Sequence, residues 1–291
     1  MFHTTAHMKN AVSSIEHHEP VFREQIERKL VALADSIIAG NPDERADLIW
    51  RQRAIPEKIC TIPPGVDTVL FRPMDRAAAR AELGLSPDDA VVTFVGRIDP
   101  IKGIDTLLNA MALLKDQVTG RHLVLQMVGG DLDGNGQPVG ALAETKREID
   151  ALGLTDHVRL LGSRPQNQLP LIYNASDAVC VPSRYESFGL VAVEAMACGV
   201  PVVASRAGGL IFSVEDGESG FLAPVNDADA FAGALAILLN DPELAEEMGS
   251  AARSIAERFA WPVVASSMRH VYQRLAEGHR ANLCCDEEIY A

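Results

Sequence analysis

The chain has 291 residues, room for about two domains at roughly 150 residues each, and 47% of them are hydrophobic and 23% charged. That balance excludes a wholly disordered or collagen-like protein. A net charge of −14 disfavours nucleic acid and anionic membrane as primary partners, because both are gripped through a net basic face. Residues 10–58 read as mainly helical, closing in a weak strand near Lys58–Ile62. Within Phe22–Ala39, Ile26, Leu30, Leu33 and Ile37 recur at helical spacing. Pro63, Pro64, Gly65, Asp67 and Pro73 then mark an ordered connector, since proline fixes φ and removes a donor.

From Arg76 to about Asp241, strands and helices alternate. The strands expected are Ala90–Val95, His122–Val128, His157–Leu161, Ala178–Val181, Pro201–Ala204 and a short Gly220–Leu222. Helical patterns fall at Ile104–Leu114, Ala141–Leu152, Gln166–Ala175, Leu190–Cys198 and Ala228–Leu239. Near-continuous apolar runs such as Val91–Val95 suit strands buried on both faces of a parallel sheet. Five or six such units with right-handed crossovers predict a doubly wound α/β domain. Two amphipathic helices, Glu243–Phe259 and Pro262–Ala276, precede a loose acidic tail at Cys284–Ala291.

No apolar run reaches the roughly 18–20 residues of a membrane helix, and the first residues lack the basic and apolar regions of a signal peptide. A soluble cytoplasmic protein is expected. Cys60, Cys180, Cys198, Cys284 and Cys285 are odd in number and irregularly spaced. Cys180 and Cys198 lie inside apolar runs, where a thiol serves as a small core residue, so no disulfide framework is expected.

In an open parallel sheet, ligands bind beyond the carboxyl ends of the strands. Here those ends read Gly96-Arg97, Gly129-Gly130, Gly162-Ser163-Arg164, Pro182-Ser183-Arg184 and Ser205-Arg206. Glycines and serines fill such turns in any case. Four arginines on one edge of an acidic chain favour a phosphate-bearing ligand. Arg97 and Lys102 place two cations in a single strand-to-helix loop, one able to bond phosphate bidentately and one acting as a point charge. A second constellation is Glu186-Ser187-Phe188-Gly189-Leu190-Val191-Ala192-Val193-Glu194. Its glycine lets backbone approach a ligand, and a helix is expected to begin near Phe188–Leu190. Glu194 falls among apolar residues, where a carboxylate must be paired, protonated or bound. Ribose or sugar hydroxyls and a neighbouring arginine are both available readings.

Taken together, Arg97 with Lys102 and the two glutamates of Glu186–Glu194 resemble the donor-binding domain of retaining glycosyltransferases of family 4, which have the GT-B fold. Supporting motifs are Ile62–Asp67 with Phe71-Arg72-Pro73, Ala195–Ala204, Gly208-Gly209 and Glu218–Leu222, so the likeness spans about Lys58 to Val271. The closest-looking branch holds sucrose-phosphate synthases and inositol-phosphate N-acetylglucosaminyltransferases. The resemblance implies that Arg97 and Lys102 hold the diphosphate of a nucleotide-sugar, most simply a UDP-sugar. Glu194 would bind ribose and Glu186 the donor sugar. Gly96 and the Ser187, Phe188, Gly189, Leu190 and Val191 backbone would line sugar and phosphate, with Gly162, Ser163 and Arg164 meeting the base. The implied reaction retains anomeric configuration by front-face attack and requires no metal or other cofactor. The two glutamates are then not the acid/base pair of a glycoside hydrolase.

The resemblance also implies a complete amino-terminal acceptor domain, whereas His3-Thr4, Arg23 and Glu27 look like only its end. The expected organisation is an acceptor-domain remnant at 1–62, a connector at 63–75 and a nucleotide-sugar-binding Rossmann-like domain at 76–258. A helix returning toward the amino-terminal side at 259–280 and a tail at 281–291 follow. His3, Thr4 and Arg23 are candidates for the acceptor side. The alternative to a transferase is a non-catalytic or truncated nucleotide-sugar-binding module, completed by a partner polypeptide or self-associating through the uncovered interdomain face.

Three further signals are set aside. Asp131–Gly136 opens like a calcium loop, but its twelfth position is Leu142 instead of a bidentate glutamate, so a flexible acidic loop is expected. His17-His18 beside Glu16 and Glu19 reads as a solvated loop. Gly129-Gly130 is not a dinucleotide fingerprint.

Overall fold

The computed structural model describes residues 5–10, 19–281 and 283–284. His3, Thr4, His17, His18 and Cys285 lie outside the described residues. The amino-terminal elements are α1 (Ala6–Asn10), α2 (Val21–Leu33), β1 (Ile37–Ala39), α3 (Pro42–Trp50) and β2 (Ile59–Thr61). β1 and β2 pair in parallel, Ile37 opposite Ile59. The helical reading of Phe22–Ala39 is therefore corrected at its end. Ala34 turns extended at ψ 137°, Lys58 Nζ donates to Ala34 O at 3.1 Å, and Ser36 Oγ donates to Lys58 O at 3.2 Å. Pairing with a strand more than twenty residues away overrides the local period that placed Ile37 on the helix.

The chain continues through α4 (Arg76–Glu82), β3 (Ala90–Val95), α5 (Ile104–Leu114), β4 (Leu123–Val128), β5 (Asp131–Leu132), β6 (Pro138–Val139), α6 (Ala141–Ala151) and β7 (Val158–Gly162). Then come α7 (Leu169–Asn174), β8 (Ala178–Val181), α8 (Leu190–Ala197), β9 (Val202–Ser205), α9 (Leu210–Ser213) and β10 (Gly220–Ala223). Finally α10 (Ala228–Asn240), α11 (Pro242–Glu257) and α12 (Trp261–Ala276) close the fold. Six strands form one parallel sheet in the order β10-β9-β8-β3-β4-β7. The doubly wound α/β expectation holds. Successive connections run outward in opposite directions from β3 and β8, so a crevice opens between their carboxyl ends.

Apolar side chains cover both faces of the sheet. One layer joins Val92, Phe94 and Leu125 of the strands to Leu107 and Met111 of α5 and Phe231 and Leu235 of α10. The other joins Val179, Val181 and Val202 to Tyr173, Val193, Met196 and Phe259. Cys180 and Cys198 are buried free thiols, and burial pushes the Cys198 thiol up to about 12, so both act as core residues.

Cys60 and Cys284 correct the cysteine expectation. They form a disulfide with Cα atoms 5.2 Å apart across 224 residues of sequence. α12 returns to β1 and β2, packing Val264 and Val271 with Ile38, Cys60 and Ile62, and this return delivers Cys284 to Cys60. The acidic loop is also more ordered than expected. β5 and β6 make a short antiparallel hairpin, whose turn is tied by Asp133 Oδ1 accepting from the Asn135 and Gln137 amides at 2.8 Å each. Among the described residues, no helix is long and apolar enough to cross a membrane.

Candidate functional site

Two loops meet at the crevice. The loop after β3 carries Gly96 and Arg97 and ends in a tight turn, Pro100–Lys102, before α5. Gly103 adopts φ 64° there, and a Cβ on it would overlap the Pro182 carbonyl. Only glycine allows this approach, which the Arg184 N–H bond to Ile101 O at 2.8 Å fastens. The loop after β8 then runs through Glu186 to Gly189, whose φ of 90° starts α8. Both helices thus point free backbone N–H groups toward the crevice, the geometry that favours an anion.

Lys102 and Glu186 come together here. Lys102 Nζ donates to Glu186 Oε1, and Ser183 Oγ donates to the same oxygen at 3.1 Å. From behind, Gly209 N donates to Glu186 O at 2.8 Å. Arg97 stands apart, with its side chain 77% exposed and a 3.4 Å ion pair to Asp99. It is an exposed cation at the mouth of the crevice, unlike the held Lys102.

Glu194 lies one layer deeper, on α8, and is 8% exposed. Tyr173 Oη donates to its Oε2 at 3.0 Å, and Gln166 Nε2 donates to its Oε1 at 3.2 Å. Burial raises its pKa and these two hydrogen bonds partly offset the rise. The partner is a tyrosine and a glutamine instead of the arginine considered from sequence. Gln166 follows Arg164 by two residues, so the loop after β7 is itself hydrogen-bonded to Glu194. In that loop Ser163 N and Oγ both donate to Gly130 O, at 2.9 and 2.8 Å, Gly162 packs under Leu132, and Arg164 is exposed.

The four-arginine edge is corrected. Arg184 is spent on Asp105 at 2.6 Å, Asn226 at 2.9 Å and the Pro100 carbonyl. Arg206 pairs with Asp216 at 2.6 Å. Both bind carboxylates from other elements, which strand-end spelling does not reveal. Phe188 is likewise a core residue, its ring edge-on to Phe259 at 5.4 Å. Its backbone, with that of Ser187, Gly189, Leu190 and Val191, remains at the crevice. Arg23 sits on α2, paired with Glu19 at 2.9 Å and Glu27 at 3.0 Å. Glu27 also accepts from Ala6 N at 3.0 Å, fastening α1 to α2.

Sequence reading missed Tyr173, Gln166 and Ser183 as partners of the two glutamates. It also missed Asn41, whose Nδ2 donates to Ser187 O at 2.5 Å. Asn41 spells a helix N-cap before Pro42, but nothing local says that it reaches another loop. Among the described residues, no group of three or more His, Cys, Asp or Glu is placed to hold a metal ion.

A doubly wound parallel sheet with this crevice is the architecture of GT-B glycosyltransferases, and comparison with known proteins agrees. The model of the glycosyl transferases group 1 family matches residues 75–255, and the chain belongs to that family. It is 42% identical over 278 residues to D-inositol 3-phosphate glycosyltransferase of Segniliparus rotundus, covering 95% of this chain and 60% of that protein. Among solved structures, sucrose-phosphate synthase from Thermosynechococcus elongatus superposes with a TM-score of 0.83 at 36% identity, covering 96% of this chain and 67% of that one. HepE of Anabaena, solved with UDP and glucose, gives a TM-score of 0.76 at 27% identity over 94% of this chain and 70% of that one. The chain spans about 60% of the length of the curated relatives it matches.

Proposed function

We propose that the crevice binds a nucleotide-diphosphate sugar, specifically a UDP-sugar, and that the protein transfers the sugar with retention to an acceptor. The observation that carries this reading is the meeting of Lys102 and Glu186 at the switch point of the sheet, in front of the amino termini of α5 and α8. The UDP bound by HepE supports the choice of base. In this reading Arg97 and Lys102 hold the diphosphate, Glu186 the sugar hydroxyls and Glu194 the ribose. Gly96 and the Ser187–Val191 backbone line the donor, and Gly162, Ser163 and Arg164 meet the base. Residues 76–258 form the donor-binding unit.

Breaking the C1–O bond to the diphosphate leaves positive charge on the sugar and negative charge on the leaving group. Two cations at the phosphates oppose the latter, each such contact contributing on the order of 3 kcal/mol at the transition state. The acceptor oxygen attacks from the same face and its proton passes to the departing phosphate, so the configuration at C1 is kept. The names of the relatives favour an inositol phosphate as acceptor, with Arg23 on the acceptor side.

Calorimetry on wild type and Arg97→Ala tests the reading. UDP binding should weaken in the variant while uridine binding does not change; equal loss of both argues against a phosphate role.

A second reading is a donor-binding module completed by a separate acceptor-domain polypeptide. It rests on α2, where Val21, Phe22, Ile26, Leu30 and Leu33 are all exposed, and on β1–β2, which among the described residues form a parallel sheet of two strands. Parallel strands are ordinarily buried within larger sheets. Robust transfer to inositol phosphate by this chain alone would eliminate the second reading.

A further inference from the structure

The amino terminus of α3 is capped twice. Asn41 Oδ1 accepts from Glu44 N at 2.8 Å, and Glu44 Oε2 accepts from Gly40 N at 2.5 Å. This reciprocal arrangement resembles a capping box. Capping requires only an acceptor at position 41, and aspartate or serine would serve equally. Asparagine adds a donor, and that donor is used. Its Nδ2 bonds Ser187 O across 146 residues of sequence, with Asn41 itself 1% exposed.

The loop that receives this bond carries Glu186. Gly209 N holds Glu186 O from one side, and Ser213 Oγ donates to Phe188 O at 3.3 Å. Ser187 O lies between these two anchors and is fixed from the amino-terminal unit. The rest of the contact is poorly matched. Among the described residues, Tyr185 Oη, on the same loop, and Glu44 Oε1, on α3, are buried without a hydrogen-bond partner. Asp43, Glu44 and Asp47 of α3, with Glu186, act electrostatically on Tyr185. Each unsatisfied buried polar atom costs free energy, whereas the Asn41 bond is directional and ties the two surfaces at one point.

We infer that Asn41 is a positioning residue, whose Nδ2 bond to the Ser187 carbonyl holds the Glu186–Gly189 loop so that Glu186 faces the donor sugar. Its sugar-binding part rests on the proposed function; its mechanical part does not. The amino-terminal unit thereby takes part in shaping the donor subsite.

Asn41→Asp separates the two roles, because it preserves the cap and replaces the donor with an oxygen facing Ser187 O. Amide hydrogen exchange, followed without ligand, should accelerate about fivefold to tenfold over residues 185–190, the effect of losing one ordinary hydrogen bond. Exchange within α3 should not change. Asn41→Ser, a capping residue too short to reach, should repeat the result, which guards against misfolding caused by the aspartate charge. Unchanged exchange at 185–190 in both variants overturns the clamp.

Calorimetry with UDP, UDP-glucose and UDP-N-acetylglucosamine supplies the second arm. Affinity for the preferred UDP-sugar should fall about tenfold toward that of UDP, while UDP itself binds as in wild type. Faster loop exchange without this loss overturns the role in sugar positioning. Wild-type protein that binds none of the three ligands overturns the proposed function, and the exchange comparison then decides the clamp by itself.

Discussion

Lys102 and Glu186, 84 residues apart in sequence, share a hydrogen-bonded ion pair at the switch point of the sheet. Each side chain is less than a fifth exposed. In the proposed reading they serve different parts of one ligand, phosphate and sugar, so a single contact aligns both subsites. Lys102→Ala removes a charge-assisted bond of about 1.5–3 kcal/mol and should weaken UDP about tenfold to a hundredfold. Glu186→Gln should leave UDP affinity equal or higher, since Lys102 is released, while a UDP-sugar loses affinity. Calorimetry of both ligands on both variants checks this; loss of UDP binding in Glu186→Gln would place the carboxylate elsewhere in the site.

Glu194 ties nucleotide binding to pH. Burial raises its pKa, and the bonds from Gln166 and Tyr173 oppose that rise. As a ribose acceptor it acts ionised, so nucleotide affinity should decline as pH falls through its titration. Tyr173→Phe removes one opposing bond and should move the decline to higher pH. A titration of UDP affinity against pH for the two proteins checks the direction, and an identical midpoint would detach Tyr173 from the site.

The central sheet was legible because its strands are spelled as apolar runs. Ala90–Val95 and Ala178–Val181 are fully or almost fully buried, and few other structures accommodate such segments between glycine-rich turns. Arg97, Lys102, Glu186 and Glu194 could be singled out as candidates because each is a charge at a strand end beside glycine or within an apolar helix. What escaped depends on partners distant in sequence. Ile37 fits the helical period of Leu30 and Leu33 but pairs with Ile59. Arg184 and Arg206 look like ligand groups until Asp105 and Asp216 are placed against them. Asn41 spells a cap, and only the tertiary fold presents Ser187 to it.

Asp177 is a strong determinant of stability that no motif announced. Its buried carboxylate accepts from Arg80 at 2.9 Å, Arg121 at 2.8 Å, Arg76 at 3.2 Å and the Val91 amide at 2.8 Å. α4, β3 and the entry to β8 are thereby joined at the end of the sheet opposite the crevice. Asp177→Asn leaves the buried Arg80 guanidinium without its counter-charge, a loss of about 3–5 kcal/mol. Urea unfolding should show that loss, with UDP affinity preserved at temperatures where the variant is folded. A change below about 1 kcal/mol would mean the guanidiniums find other partners.

Glu44 should make stability fall as pH rises from about 4.5 to 7. Burial raises its pKa from 4.5 to about 7, against the opposing Gly40 N–H bond, and the charge of Asp47 adds to the rise. Between about pH 4.5 and 7 the folded protein holds a proton that the unfolded chain has released, so unfolding releases a proton and stability declines over that window, levelling off once the folded protein is ionised too. The full effect is on the order of 3 kcal/mol, at 1.36 kcal/mol per pH unit. Glu44→Gln cannot titrate and still offers an oxygen to Gly40 N. At pH 5 the variant should match wild type or fall slightly below it, because its amide places an unpaired donor where Glu44 Oε1 is buried. By pH 8 the balance should shift toward the variant by about 3 kcal/mol. Denaturation of both proteins at the two pH values measures the shift. Parallel curves would show that Glu44 is ionised in the fold throughout, with its charge met by groups that move toward it.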